Sequence, residues 1–198
     1  MKNIKKYVLI SAGNVKLGGI PNISLPPVKS CADDVPCISD CYALRSYNQY
    51  PAVRHAWNKN LYTSTVSLRL YEACVTKWIE HHKPPYFRWH VAGDITTAKY
   101  RDMIIKIAKK YTNVKFMVFT KRYKFFTNRI VIPENLKVIL SAWPGLDIPK
   151  SDKYSIAWMD DGTDDRIPKD AIECSGHCDS CLLCWNHKGN KQIRFPKH

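Results

Sequence analysis

No run of apolar residues in this chain approaches the roughly 20 needed to cross a bilayer as a helix. Nothing in it reads as an export signal either. The basic start, Lys2 to Lys6, is followed only by Tyr7-Val8-Leu9-Ile10, and Ser11-Ala12-Gly13-Asn14 leads to Lys16 without a cleavage site. A cytosolic, reducing location is therefore expected, with no membrane partner. Also missing are a P-loop, a G-x-S-x-G elbow and a dinucleotide fingerprint, which removes the support for several common enzyme classes. No internal repeat or low-complexity tract appears.

Acidic residues are scarce where basic ones gather. From Lys99 to Arg129 there are ten Lys or Arg and one acid, Asp102, within a chain of net charge +14. Such a field favours an anionic partner, nucleic acid or a phosphorylated ligand, although a lysine-rich solvated helix face would produce the same count. The rest of the composition, 45% hydrophobic and 24% charged over 198 residues, is that of one globular domain.

The cysteines are unevenly spread. Cys31, Cys37 and Cys41 form a C-x5-C-x3-C group, and Cys174, Cys178, Cys181 and Cys184 a C-x3-C-x2-C-x2-C group. Such spacing gathers thiolates around one point, as an iron–sulfur cluster or a tetrahedral zinc requires. Disulfides would need an oxidising compartment and a chain too small to build a core. For the C-terminal four, zinc and iron–sulfur both remain open, the compressed spacing being nearer to ferredoxin runs. Three thiolates on a four-iron cube leave one iron free for a small ligand; alternatively a C-terminal cysteine completes the N-terminal set. His177 is a further candidate ligand. Cys74, on a helical face with Leu68, Tyr71, Val75 and Trp78, reads as core.

Along the chain, Tyr7–Ser11 is expected as a first strand, with a Gly- and Pro-rich loop over residues 13–30 leading to Cys31. Residues 52–82 show three- and four-residue apolar steps, one helix or two. Strands are expected at Tyr86–Val91, Val114–Phe119, Leu136–Ala142, Tyr154–Trp158 and Gln192–Phe195, and an amphipathic helix starts at Thr96 or Thr97. A short helix is expected near Tyr123–Arg129. The alternation implies an α/β fold with a parallel sheet. Residues 1–160 form the core and 161–198 a cysteine-rich segment of the same domain. The loop to Cys31, Gly93-Asp94, Thr120-Lys121-Arg122 and Trp143-Pro144-Gly145 all fall at carboxyl ends of expected strands, where ligands of such sheets gather. Strand alternation would place His90 and Asp94 on one side. His90 reads as a bonded core histidine, and Asp94 as either a ligand-binding carboxylate or a plain loop residue. Lys121 and Arg122 could meet a carboxylate or phosphate, or be ordinary surface charges.

Three cysteines after a first strand, then a long helix and a second strand closing on Gly93-Asp94, resemble the radical S-adenosylmethionine (SAM) enzymes. The spacing differs from the usual C-x3-C-x2-C, and the aromatic residue, Tyr42, follows the last cysteine. A fuller resemblance is to the phage gene product 88 family, proteins of phages and mobile elements. It rests on Asn14-Val15-Lys16-Leu17-Gly18, Cys41-Tyr42-Ala43, Arg88-Trp89-His90-Val91-Ala92-Gly93-Asp94, Phe119-Thr120-Lys121-Arg122 and Cys184-Trp185. The resemblance implies a partial (β/α) barrel and one or two [4Fe-4S] clusters. The first would sit on Cys31, Cys37 and Cys41, with Gly93, Asp94, Thr120, Lys121 and Arg122 toward SAM, and a reductant protein would serve it if it is enzymatic. No reaction is implied.

Overall fold

A computed structural model describes residues 4–196. Seven strands form one all-parallel sheet in the order β1-β2-β3-β4-β5-β7-β6: β1 Asn22–Ile23, β2 Tyr86–Trp89, β3 Lys115–Thr120, β4 Leu136–Ala142, β5 Ser155–Asp160, β6 Ile172–Glu173 and β7 Gln192–Pro196. The sheet is open, with β1 and β6 at its edges. Helices α1 (Tyr42–Gln49), α2 (Pro51–Val66) and α3 (Leu68–His82) fill the crossover from β1 to β2, and α4 (Ala98–Lys110) the next one. Two four-residue helices, α5 (Cys178–Cys181) and α6 (Leu183–Asn186), carry Cys178, Cys181 and Cys184, and Cys174 directly follows β6. Among the described residues no helix is long and apolar enough to cross a membrane.

Helix boundaries follow local chemistry. Pro51 at the first position of α2 ends α1, because a proline cannot donate to the preceding turn. The Ser67 side chain accepts from the Leu70 N–H and starts α3, and Thr97 does the same for Tyr100 in α4. The segment expected as a short helix after β3 is a single 3-10 turn, Tyr123–Phe125.

The first strand is not where the apolar pattern placed it. Residues 4–7 form a turn that buries Ile4 and Val8, and the first paired strand is Asn22–Ile23, inside the Gly- and Pro-rich loop. The Leu9 backbone finds its partners on a helix: its N–H donates to Asn60 Oδ1 at 2.8 Å, and its carbonyl accepts from Asn60 Nδ2 at 2.9 Å. The same Nδ2 donates to the Ser24 carbonyl at 3.0 Å, so one fully buried side chain ties the amino-terminal segment and the end of β1 to α2.

A parallel sheet must be covered on both faces. On one face Phe87, Trp89, Phe116, Val118, Val138 and Leu140 pack beneath Tyr71, Val75, Ile79, Met103, Ile104 and Ile107 of α3 and α4. Each such side chain contributes about 1.5–3 kcal/mol by leaving water. Cys74 lies in this core, as expected. The other face carries Met117, Ile139 and Ala157 in a smaller cluster with Leu17, Ile20 and Trp185, rimmed by partly buried side chains such as Leu182 and Phe195. That thinner cover is closed by the Lys16 carbonyl accepting from the Cys178 N–H at 2.8 Å. Gly18, at φ +56°, lets the amino-terminal loop lie against Asp179: a Cβ there would stand 2.0 Å from its Oδ2.

Asn60→Ala removes three hydrogen bonds from a buried site and should cost about 3 kcal/mol of unfolding free energy. Denaturant titration of the variant should show a lower midpoint at an unchanged slope.

Candidate metal centres at the carboxyl edge and the covered face

The four loops expected to converge do so through specific bonds. Asp94, just past β2, is buried, and its Oδ1 accepts from Thr120 Oγ1 at 2.6 Å and from the Ile95 N–H at 2.7 Å. Its Oδ2 accepts from the Lys121 N–H at 2.7 Å. Burial outweighs these bonds and raises its carboxyl above the ordinary range. Lys121 in turn donates to Ser141 Oγ at 2.9 Å and stands 5.4 Å from the centre of the Trp143 ring. Arg122 Nη2 donates to the Cys31 carbonyl at 2.6 Å, which joins the third βα loop to the cysteine loop.

Gly93 is required by both space and backbone. It sits at φ +77°, and a Cβ there would lie 2.3 Å from Ser30 Oγ and 2.8 Å from the Leu25 carbonyl oxygen. Ser30 Oγ donates to the Pro26 carbonyl and accepts from the Asp94 N–H, so the residue before Cys31 is held directly by the Gly-Asp corner. Tyr42, next to Cys41, donates to the Val91 carbonyl at 2.5 Å and fixes the other end of the cysteine loop to the same corner.

Cys31, Cys37 and Cys41 thus form one group above the sheet edge. Their charges act on one another, and Asp94 acts on Cys31, whose thiol is pushed up to about 11, first by burial and then by that carboxylate. Cys37 is raised by burial, with Lys121 pulling the other way. The second group lies on the thinly covered face. Cys174, Cys178, Cys181 and Cys184, with His177 and Trp185, line one small cavity of about 30 Å³. Cys184 is pushed up to about 12 by burial and by the other three cysteines, while Arg88 opposes the shift. Each group interacts within itself, and the electrostatic neighbours of the raised thiols include no cysteine of the other group. Among the described residues no three His, Cys, Asp or Glu side chains are gathered tightly enough for a single metal ion.

Both groups sit beside buried N–H donors that have no partner among the described residues. Arg122 Nε is one, on the side chain already bonded to Cys31; Arg88 Nε and Trp185 Nε1 are the others, beside Cys178 and Cys184. A buried unpaired donor costs about 1–3 kcal/mol. Thiolate and sulfide are acceptors of the kind such donors serve around metal–sulfur sites. The donor set therefore fits a negatively charged sulfur centre at each group.

Arg88, Trp185, Ser30 and Tyr42 were not expected as site residues. Three of them, Ser30, Tyr42 and Trp185, adjoin cysteines in sequence, and Arg88, Tyr42 and Trp185 stand in the motifs that carry the family resemblance. The strand alternation that would set His90 and Asp94 on one side does not extend to either residue. Strand β2 ends at Trp89, and His90, at φ +55°, breaks the alternation. It is buried, with Nε2 3.1 Å from Tyr100 Oη, which bonds to Tyr71.

Fold and sites together define an α/β protein with a parallel sheet and two cysteine groups. The family model for Gene product 88 matches residues 2–187, and the chain belongs to that family. No curated protein and no solved structure matches the chain.

Burial, and then the charge of Arg88, lower His90 from 6.5 to about 3. The unfolded chain takes up this proton near pH 6.5 and the folded chain does not, so stability should fall as pH drops from about 6.5 toward 3. Urea titrations at stepped pH should show that His90→Asn loses this part of the slope while the carboxylate-driven loss persists.

Proposed function

We propose that this protein is an iron–sulfur protein whose amino-terminal centre, a [4Fe-4S] cluster on Cys31, Cys37 and Cys41, keeps one iron open for SAM or a similar small ligand. Cys174, Cys178, Cys181 and Cys184 hold a second, fully ligated cluster. The observation that carries this reading is the pairing of each cysteine group with buried, unpartnered N–H donors, Arg122 at the first and Arg88 with Trp185 at the second. A tetrahedral zinc would draw its sulfurs to about 3.8 Å of one another, from Zn–S bonds of about 2.3 Å. Thiolates on separate irons of a cube stand further apart, so the two readings differ in the sulfur spacing they require. The open strand order, read with the radical SAM resemblance, supports a partial (β/α) barrel whose carboxyl edge carries the first centre.

The chain's own residues have separable tasks in this reading. Ser30, Gly93 and Tyr42 set the height of the cysteine loop over the edge. Asp94 acts chiefly by clasping the ends of β2 and β3, since both its oxygens are engaged. Lys121 places positive charge beside Cys37, Arg122 holds the Cys31 carbonyl, and both would serve a carboxylate of the small ligand. The cluster would supply an electron to a sulfonium compound bound at its open iron. That requires a reductant protein and a reducing, cytosolic setting.

Under anaerobic reduction the loaded protein should bind SAM and release 5′-deoxyadenosine. Cys37→Ala should abolish both and remove the iron of the first centre, leaving that of the second. Chromatography of the products with iron analysis of wild type and variant checks this. Neither SAM binding nor turnover in fully loaded, reduced protein would remove the enzymatic reading.

A further inference from the structure

The positive charge of this chain is not equally available everywhere. On α4, Lys106 pairs with Glu72 at 2.7 Å, Lys110 with Glu80 at 3.0 Å, and Arg101 with its neighbour Asp102. The basic stretch that stands out in the sequence is therefore partly neutralised by α3. A different surface keeps its charge. Between the amino-terminal turn and α2 runs an open groove of about 650 Å³, lined among others by Lys6, Tyr7, Arg54, His55, Lys59 and Tyr62. No carboxylate is among the described residues lining it, and Lys6, Arg54 and Lys59 make no ion pair with a described residue. Arg54 and Lys59 donate only to the backbone carbonyls of Asn48 and Lys5, at 3.3 and 3.5 Å.

The groove also offers aromatic faces. Tyr62 is 69% exposed, and Lys6 Nζ stands 5.6 Å from the centre of the Tyr7 ring. Arg54, Asn58 and Tyr62 are spaced by four residues, as are His55, Lys59 and Thr63, so they share one side of α2 over about 12 Å. At 3.4 Å per stacked nucleotide this covers about three phosphates. The wall is held firmly: Thr63 donates to the Tyr7 carbonyl at 2.6 Å, and Asn58 accepts from Tyr47 Oη.

We propose that this groove binds single-stranded nucleic acid, with Lys6, Arg54 and Lys59 on successive phosphates and Tyr62 beneath a base. Unpaired cations interleaved with an exposed aromatic ring are the two components such binding needs, charge for the backbone and a π-face for the bases. The site is independent of both cysteine groups, and its occupancy does not depend on a cluster being present.

Fluorescence anisotropy with labelled 12-nucleotide DNA and RNA strands tests this on the full chain across a salt series. Three phosphate contacts predict a log–log salt slope of about −2. The combined Lys6→Gln, Arg54→Gln, Lys59→Gln variant should weaken binding at least tenfold and flatten the slope. Tyr62→Ala should weaken it between about fivefold and a hundredfold with the slope kept, and Tyr62→Phe should restore it. Neutralising Lys106, Lys109 and Lys110 should change little. Thermal midpoints close to wild type would show that these exposed substitutions leave the fold intact. Absence of binding, binding indifferent to the groove variants, or an equal loss from the α4 variant would overturn the proposal. Competition by inorganic polyphosphate as strong as by oligonucleotide, with Tyr62→Ala inert, would overturn it in favour of a general anion patch.

Discussion

A parallel sheet cannot leave either face in water, and this chain covers its two faces by unequal means. Helices α3 and α4 bury one face under a continuous layer of Ile, Val, Met and aromatic side chains. The other face depends on Leu17, Ile20 and Trp185, carried by a loop and by two four-residue helices. Helices that short do not hold their shape alone. Residues 174–186 are held by Trp185 and Leu182 against the sheet and by backbone bonds from Cys174 to Arg194 and from Cys178 to Lys16, and four thiols line one cavity there. Where metal binding organises a segment, its binding energy is also folding energy. If the second cysteine group holds the proposed centre, it is structural in consequence whatever chemistry the first performs.

The first group depends on the sheet in another way. The corner after β2 is built so that Gly93 admits Ser30 and Leu25 at distances no other residue allows, while Asp94 clasps the end of β3. The cysteine loop is attached to that corner at both ends, through Ser30 and through Tyr42, and is braced by Arg122. Position is thereby transmitted from rigid strands to flexible thiols, as a site on loops requires. The price at this group is a buried donor, Arg122 Nε, that finds no partner among the described residues.

Much of this was legible in the sequence, and the exceptions have physical causes. Strand β4 stands where its mostly apolar run placed it, and β2, β3, β5 and β7 shift by a residue or two at their ends. The cysteine groupings needed only spacing, and the convergence of four loops needed only the rule that parallel strands share a carboxyl edge. Tyr7–Ser11 misled because an apolar run that plugs a helix pair looks the same as one that joins a sheet. Leu9 bonds to Asn60, far along the chain, Ser11 makes a single antiparallel bridge to Asn22, and the parallel strand is Asn22–Ile23. His90 misled because relating it to Asp94 assumes a strand running through both, whereas β2 ends at Trp89 and His90 is left-handed. Arg88 and Trp185 matter through what lies opposite them across the sheet face, which spacing along the chain does not encode.

The central claim is that both cysteine groups hold iron–sulfur clusters. It is tested most directly by iron and acid-labile sulfide per chain on anaerobically purified protein, read together with the visible spectrum. The account predicts about eight irons with matching sulfide, for two four-iron cubes, and a brown colour that bleaches under dithionite. Zinc without sulfide would contradict it and leave a zinc-stabilised fold in its place.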